Sequence, residues 1–154
     1  LPPEVDLKAE VALGNVVRAL SAADGPDGRP LVRAAHDLSN GGLVQSLVDS
    51  ALRFGIGGTF DVASAARRDC VGDHEMLLSE SQARAFVAVP EAAVKAVFAA
   101  AEAEGVDAVR IGTTGGDMLA ISGVDLLAAE GEGCGWIASI DELRELSDTG
   151  RKYF

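Results

Sequence analysis

A chain of 154 residues is long enough for one ordinary domain with its own core and short for two. Apolar residues make up 48% and charged residues 24%, a globular balance that excludes disorder, and no apolar run approaches the roughly 18–20 residues of a membrane span. The net charge of −11, with only 13 Lys and Arg thinly spread, excludes the basic stripe that a nucleic-acid binder needs.

Leu1-Pro2-Pro3-Glu4 has neither the basic start nor the apolar core of a signal peptide, and it lacks an initiator Met. It reads as a linker into a piece excised from a larger protein. Asp6 then caps a helix whose Leu13, Val16, Val17 and Leu20 fall on one stripe. Asp24 to Pro30 is dense in turn formers and forms a loop. Leu31 to Ala35 is a short apolar strand that runs into the corner His36-Asp37-Leu38-Ser39-Asn40-Gly41-Gly42. A helix follows, with Leu43, Leu47, Val48, Ala51 and Leu52 on one face and Gln45, Asp49 and Arg53 on the other, ended by Gly55. Gly57 to Val62 reads as a strand, and an irregular polar stretch reaches Gly72. Ala83 to Val89 is the next strand, ended by Pro90. Pro90 starts a helix with Val94, Val97, Phe98 and Ala101 buried and Gly105 as its stop. Val106 to Ile111 and Met118 to Ile121 pair as a tight hairpin through residues 112–117. Leu126 to Ala129 adds an edge strand, Gly131 to Gly135 is a flexible loop, and Ser139 to Glu142 is a capping box opening a helix to about Leu146. The pattern is α+β: a mixed, partly antiparallel sheet with helices packed on it, in a single domain of core 5–130 and tail 131–154.

Two motifs carry chemistry. In the corner, Ser39 or Asn40 caps the helix while Gly41 and Gly42 leave its first N–H groups uncovered, which suits an anion. The plainer alternative is a stabilised turn, with Asp37 tying the loop. A helix N-terminus contributes roughly 0.3–1 kcal/mol to an anion, whereas even a millimolar ligand needs about 4 kcal/mol. The corner therefore needs an Arg, a metal or a second domain. In the second motif, an extended Ser79 to Arg84 projects Glu80, Gln82 and Arg84 to one face, opposite Ser81. That row suits a polar ligand or a neighbouring domain, or is an ordinary solvated strand entry.

Other candidates are weaker. Gly55-Ile56-Gly57-Gly58 follows a helix and precedes a strand, the reverse of a phosphate-cradling loop, so it reads as a helix stop followed by close backbone packing. Cys70-x-x-x-His74 is half a zinc site at best, and no metal site is expected. Two cysteines, Cys70 and Cys134, suit a reducing cytoplasm.

The order His36-Asp37-x-Ser39-x-Gly41-Gly42-Leu43, a helix, Gly57-Gly58, Leu78-Ser79-Glu80-Ser81-x-x-Arg84 and Ile111-Gly112 resembles the C-terminal domain of the aminoimidazole ribonucleotide synthetase superfamily. Within it, the resemblance is to the last domain of the large subunits of phosphoribosylformylglycinamidine synthases, over about residues 5–122 and more loosely to Phe154. It implies a three-layer α/β/α domain, not catalytic alone, of an ATP-dependent ligase of purine biosynthesis. That ligase turns formylglycinamide ribonucleotide and glutamine-derived ammonia into the amidine. The resemblance also implies ATP and magnesium bound mainly by N-terminal-type domains, with the rest of the large subunit, a glutaminase subunit and a small bridging subunit as partners. It carries substrate binding, phosphate binding or domain docking onto His36, Asp37, Ser39, Asn40, Gly41, Gly42, Glu80, Ser81, Gln82 and Arg84. Two departures stand out. The corner resembles the second copy of this domain in the duplicated large subunit, while Glu80-Ser81-Gln82 is the triplet of the first copy; Asn40 also stands where Asp is common. The alternatives are a superfamily kinase or synthetase (thiamine monophosphate kinase, selenophosphate synthetase or the hydrogenase-maturation relative) and a purely structural docking domain.

Overall fold

In the computed structural model, which describes residues 5–69, 72–123 and 135–151, Asp6 caps α1 (Leu7–Ser21) by accepting from the Lys8 and Ala9 N–H groups at 2.9 and 3.1 Å. The chain divides into two compact units, Leu1–Ser39 with Glu80–Val109 and Asn40–Ser79 with Arg110–Phe154.

In the first unit, Val16 and Leu20 of α1 are buried with Leu31 and Ala93, and Val32, Val89, Val97, Ala100 and Val106 pack against them. The expected stripe of α1 is thus the one that is buried. Its partner is α5 (Val94–Ala103), which a short 3-10 turn over Glu91–Ala93 introduces after Pro90. Phe98, expected on the buried stripe of α5, is instead 41% exposed. The first strand, β1 (Ala34–Asp37), starts later than Leu31 because Leu31 belongs to the helical core and its N–H donates to the Ala23 carbonyl at 2.9 Å. β1 pairs antiparallel with β3 (Ala85–Ala88), Ala34 opposite Ala88 and Asp37 opposite Ala85.

The second unit is built on a four-stranded sheet in the order β4-β2-β5-β6. Its strands are β2 (Gly58–Asp61), β4 (Gly112–Thr114), β5 (Met118–Ser122) and β6 (Gly135–Ser139). β2 alternates buried and exposed residues, and Leu119 and Ile121 of β5 are each 1% exposed, the period-two signature of a half-buried sheet. β2 runs antiparallel to β4 and parallel to β5, and β6 is antiparallel to β5. The molecule is therefore α+β with a mixed sheet, as expected, but the hairpin is not there. Gly57 donates to the Gly116 carbonyl at 2.8 Å and accepts from the Gly115 N–H at 2.9 Å, so β2 is wedged between the strands thought to pair. Val106 to Val109 forms no strand, since Val106 is held in the first unit's core.

Helix α2 (Gly42–Phe54) buries Leu43, Leu47 and Ala51 and stops at left-handed Gly55, whose N–H donates to Ala51. Gly57 then lies against the backbone of Met118 with no room for a side chain, the close packing expected of the glycine run. The stretch expected to be irregular up to Gly72 holds a helix, α3 (Ala63–Asp69), and a second, α4 (Asp73–Leu78), follows it. Asp61 accepts from the Ala63 N–H at 3.0 Å to start the first, and Ala65, Met76 and Leu77 are buried. The Ser139 capping box forms and opens α6 (Ile140–Arg151), which runs past the expected end near Leu146. Leu126 to Ala129, residues 131–134, Cys70 and Cys134 lie outside the described residues. No helix among the described residues is long and apolar enough to cross a membrane.

Candidate functional site

The β1–β3 register places the start of the corner beside the end of the second motif. Asp37 faces Ala85, and one residue on the Leu38 N–H donates to the Arg84 carbonyl at 3.2 Å, so the pairing runs past the last strand residues. His36, opposite Phe86, stacks on that ring with centroids 6.0 Å apart and planes 20° from parallel. The sheet thus brings the backbone of His36 and Asp37 beside that of Arg84, from segments almost fifty positions apart.

The polar groups of the corner are locally ordered. The Ser39 hydroxyl donates to Asp37 Oδ2 at 2.5 Å. The Nδ1 of His36 lies 2.6 Å from the Asp37 carbonyl and 3.3 Å from its Oδ1. A carbonyl oxygen can only accept, so the shorter contact places a hydrogen on Nδ1. The Ser39 hydrogen bond, with a smaller pull from His36, holds the Asp37 carboxyl below its ordinary range against the opposing effect of desolvation. Asp37 therefore stays ionised at neutral pH and is a weak base. The hydroxyl hydrogen of Ser39 points at a carboxylate and not at an imidazole, so the trio is not the relay that activates a serine nucleophile. Its chemistry is that of an acceptor for ligand hydroxyls, amides or cations.

Asn40, Gly41 and Gly42 fall in the second unit. The expected cap by Ser39 or Asn40 does not form: the N-cap of α2 is Gly41, with φ +75° and no side-chain cap. The Ser39 hydroxyl is turned instead to Asp37. Gly42, φ +69°, is buried where α2 meets α4, and a Cβ there would lie 2.6 Å from the Leu77 carbonyl oxygen and 2.7 Å from the Leu78 carbonyl carbon. Close helix packing thus accounts for that glycine. One residue of this turn escaped the sequence reading: Ser46, wholly buried, donates from its hydroxyl to the Gly42 carbonyl at 2.8 Å. Its place three residues after Leu43, on the apolar stripe, was the available signal.

The second motif does not form the expected extended row. Ala83 is left-handed at φ +57°, and the strand begins only at Ala85. Glu80 and Gln82 are exposed, and Ser81 and Arg84 are half-buried. The Ala83 N–H donates to Glu10 Oε1 at 2.8 Å, a contact no local pattern announces. A surface depression lined by Phe98, Ala101, Glu102, Gly105, Val106 and Asp107 contains none of the expected site residues. Among the described residues no three His, Cys, Asp or Glu side chains gather in a metal-binding group.

Residues 1–122 match the family model described as AIR synthase related protein, C-terminal domain. The phosphoribosylformylglycinamidine synthase subunit PurL of Nocardioides sp. is 42% identical over 123 residues, 80% of this chain and 14% of the relative. That of Renibacterium salmoninarum is 39% identical over 154 residues, 99% of this chain and 18% of the relative. The chain thus spans less than a fifth of the length of these relatives. The solved structure of T. maritima PurL complexed with ATP superposes with a TM-score of 0.57 at 16% identity, covering 73% of this chain and 19% of that one, a likeness of fold.

Proposed function

The chain belongs to the AIR synthase related protein, C-terminal domain family, and from that premise we propose that it is one domain of a phosphoribosylformylglycinamidine synthase large subunit. The whole enzyme would condense formylglycinamide ribonucleotide with glutamine-derived ammonia at the expense of ATP, in the cytoplasm. The observation that carries a binding role for this domain is the β1–β3 register, which sets ionised Asp37 and the Arg84 segment side by side. The Asp37 carboxylate on β1 and the Arg84 guanidinium just before β3 are of opposite sign and suit a ribonucleotide, whose hydroxyls seek acceptors and whose phosphate seeks cations. In this reading His36, Asp37, Ser39, Glu80, Ser81, Gln82 and Arg84 bind substrate or dock the neighbouring domain. Asn40, Gly41 and Gly42 shape the turn into α2.

The solved relative was complexed with ATP, which supports ATP use by the whole enzyme. Magnesium in the whole enzyme is part of the same proposal, and no step through the ion is assigned to the residues of this domain. The remaining domains of the large subunit, a glutaminase and a small bridging subunit complete the proposed assembly. The test is reconstitution: this chain alone turns over no ATP, and adding the remaining domains in trans restores amidine synthesis. Synthase activity from the isolated chain would overturn the reading.

A docking role has its own observation. Leu7 and Val11, one turn apart on α1, are 72% and 64% exposed. Substituting Arg84 in the full-length protein separates the two roles. Weaker assembly with unchanged substrate affinity favours docking, and the reverse favours binding.

A further inference from the structure

Ala83 is the one non-glycine with a left-handed backbone among the described residues, a region in which the Cβ crowds the following carbonyl. It stands between Glu80-Ser81-Gln82 and Arg84, so the bend it makes decides how both are presented. Left extended, the segment would place Glu80, Gln82 and Arg84 in one row. The Leu38 N–H pins the neighbouring Arg84 carbonyl, and Ala83 itself is held by the Glu10 carboxylate, which accepts its N–H at 2.8 Å from 73 residues away. Glu10 rides on a well-anchored element: α1 is capped by Asp6 one turn earlier and buries Val16 and Leu20 in the first unit's core. An exposed Glu in a first helical turn is ordinarily explained by the helix dipole alone. Here its carboxylate also reaches a strained backbone amide in the segment under the candidate site.

We infer that Glu10 is a positioning residue, holding the left-handed bend at Ala83 so that the Glu80-Ser81-Gln82 triplet is preorganised for substrate. The inference rests on the proposed role of that triplet in binding formylglycinamide ribonucleotide. Preorganisation lowers the ordering cost of binding and acts on affinity more than on turnover. Ala is a good helix former, so Glu10→Ala leaves exposed α1 intact.

The experiment uses the full-length protein with Glu10→Ala, Glu10→Gln and Gln82→Ala. Amide hydrogen exchange is read at Ala83, and KM and kcat are measured for formylglycinamide ribonucleotide. Glu10→Ala is expected to speed exchange at Ala83 and to raise KM about tenfold with kcat little changed, the size of one lost charge-assisted hydrogen bond. Glu10→Gln, which keeps an acceptor oxygen, is expected to restore most of both. Unchanged exchange at Ala83 in Glu10→Ala overturns the clamp. Faster exchange with an unchanged KM, while Gln82→Ala raises KM, overturns the positioning role and leaves the triplet's role standing. An unchanged KM in both Glu10→Ala and Gln82→Ala overturns the triplet's role itself.

Discussion

The two sheets of the molecule differ in what they bury. No residue of β1 or β3 is fully buried, whereas the four-stranded sheet closes over Phe60, Leu119, Ile121 and Ala138. A two-stranded pair is marginal on its own, and the first unit draws its cohesion from the packing of α1 against α5. The residues with chemistry to offer, His36, Asp37 and Arg84, are on or beside the lightly buried pair. The sheet that stabilises and the sheet that presents polar groups are different sheets, so substitutions should separate the two tasks.

The largest effect falls on the four-stranded sheet. Leu119→Ala leaves a cavity at a position 1% exposed and is expected to cost about 3–4 kcal/mol in chemical denaturation. Phe86→Ala on the half-buried β3 is expected to cost about 1–2 kcal/mol despite removing a larger side chain; equal losses would break the contrast. Next comes Gly42→Ala, which adds a methyl where the Leu77 and Leu78 backbones leave no space, at a left-handed φ. A loss of about 2–3 kcal/mol is expected. A loss under about 0.5 kcal/mol, the range of a neutral surface change, would mean that α2 and α4 do not approach so closely in solution.

The elements that the sequence announced are those specified locally. Asp6 with a 3.6-residue stripe gave α1, Gly55 stopped α2, and Ser139 with Glu142 opened α6, because caps and periodicity act within a few residues. What it concealed depends on distant partners. Met118 to Ile121 alternates correctly, yet nothing near it says that β2, sixty residues earlier, takes the place beside it. The Trp136 strand escaped because a glycine-rich run leads into it, and α3 and α4 escaped because they are short and Ala-rich or polar. At the candidate site the sequence names motif residues but does not give their geometry. The Ser39 hydroxyl went to Asp37 instead of the helix, and the Ala83 bend is held by Glu10 from another element.

Smaller effects sharpen the comparison on the presenting side. Ala83→Gly relieves a left-handed alanine and is expected to raise stability by about 0.5–1 kcal/mol, read as a shift in denaturation midpoint. A loss would show that the bend is absent in solution.

The smallest effect compares one carboxylate from each unit, both held low by a serine. Asp37 lies below its ordinary 3.8 chiefly through the Ser39 hydroxyl. Glu142 lies below its ordinary 4.5 through the Ser139 backbone N–H first and the Ser139 hydroxyl second. A carboxyl whose pKa is depressed on folding contributes stability above its unfolded value, and that contribution is lost as pH falls through the folded value. Both contributions are therefore present at neutral pH and fade as pH falls from the ordinary carboxylate values through the lower folded ones. Ser39→Ala removes the main cause at Asp37, so its carboxyl should titrate higher than in the parent in an NMR-detected titration, and the acid limb of the stability curve should flatten. Ser139→Ala removes only the lesser hydroxyl bond and leaves the backbone N–H in place, so Glu142 should move less than Asp37. If Glu142 moved more, the backbone of the capping box would not be the dominant partner, and the stabilising unit would owe its acid response to side chains as the presenting unit does.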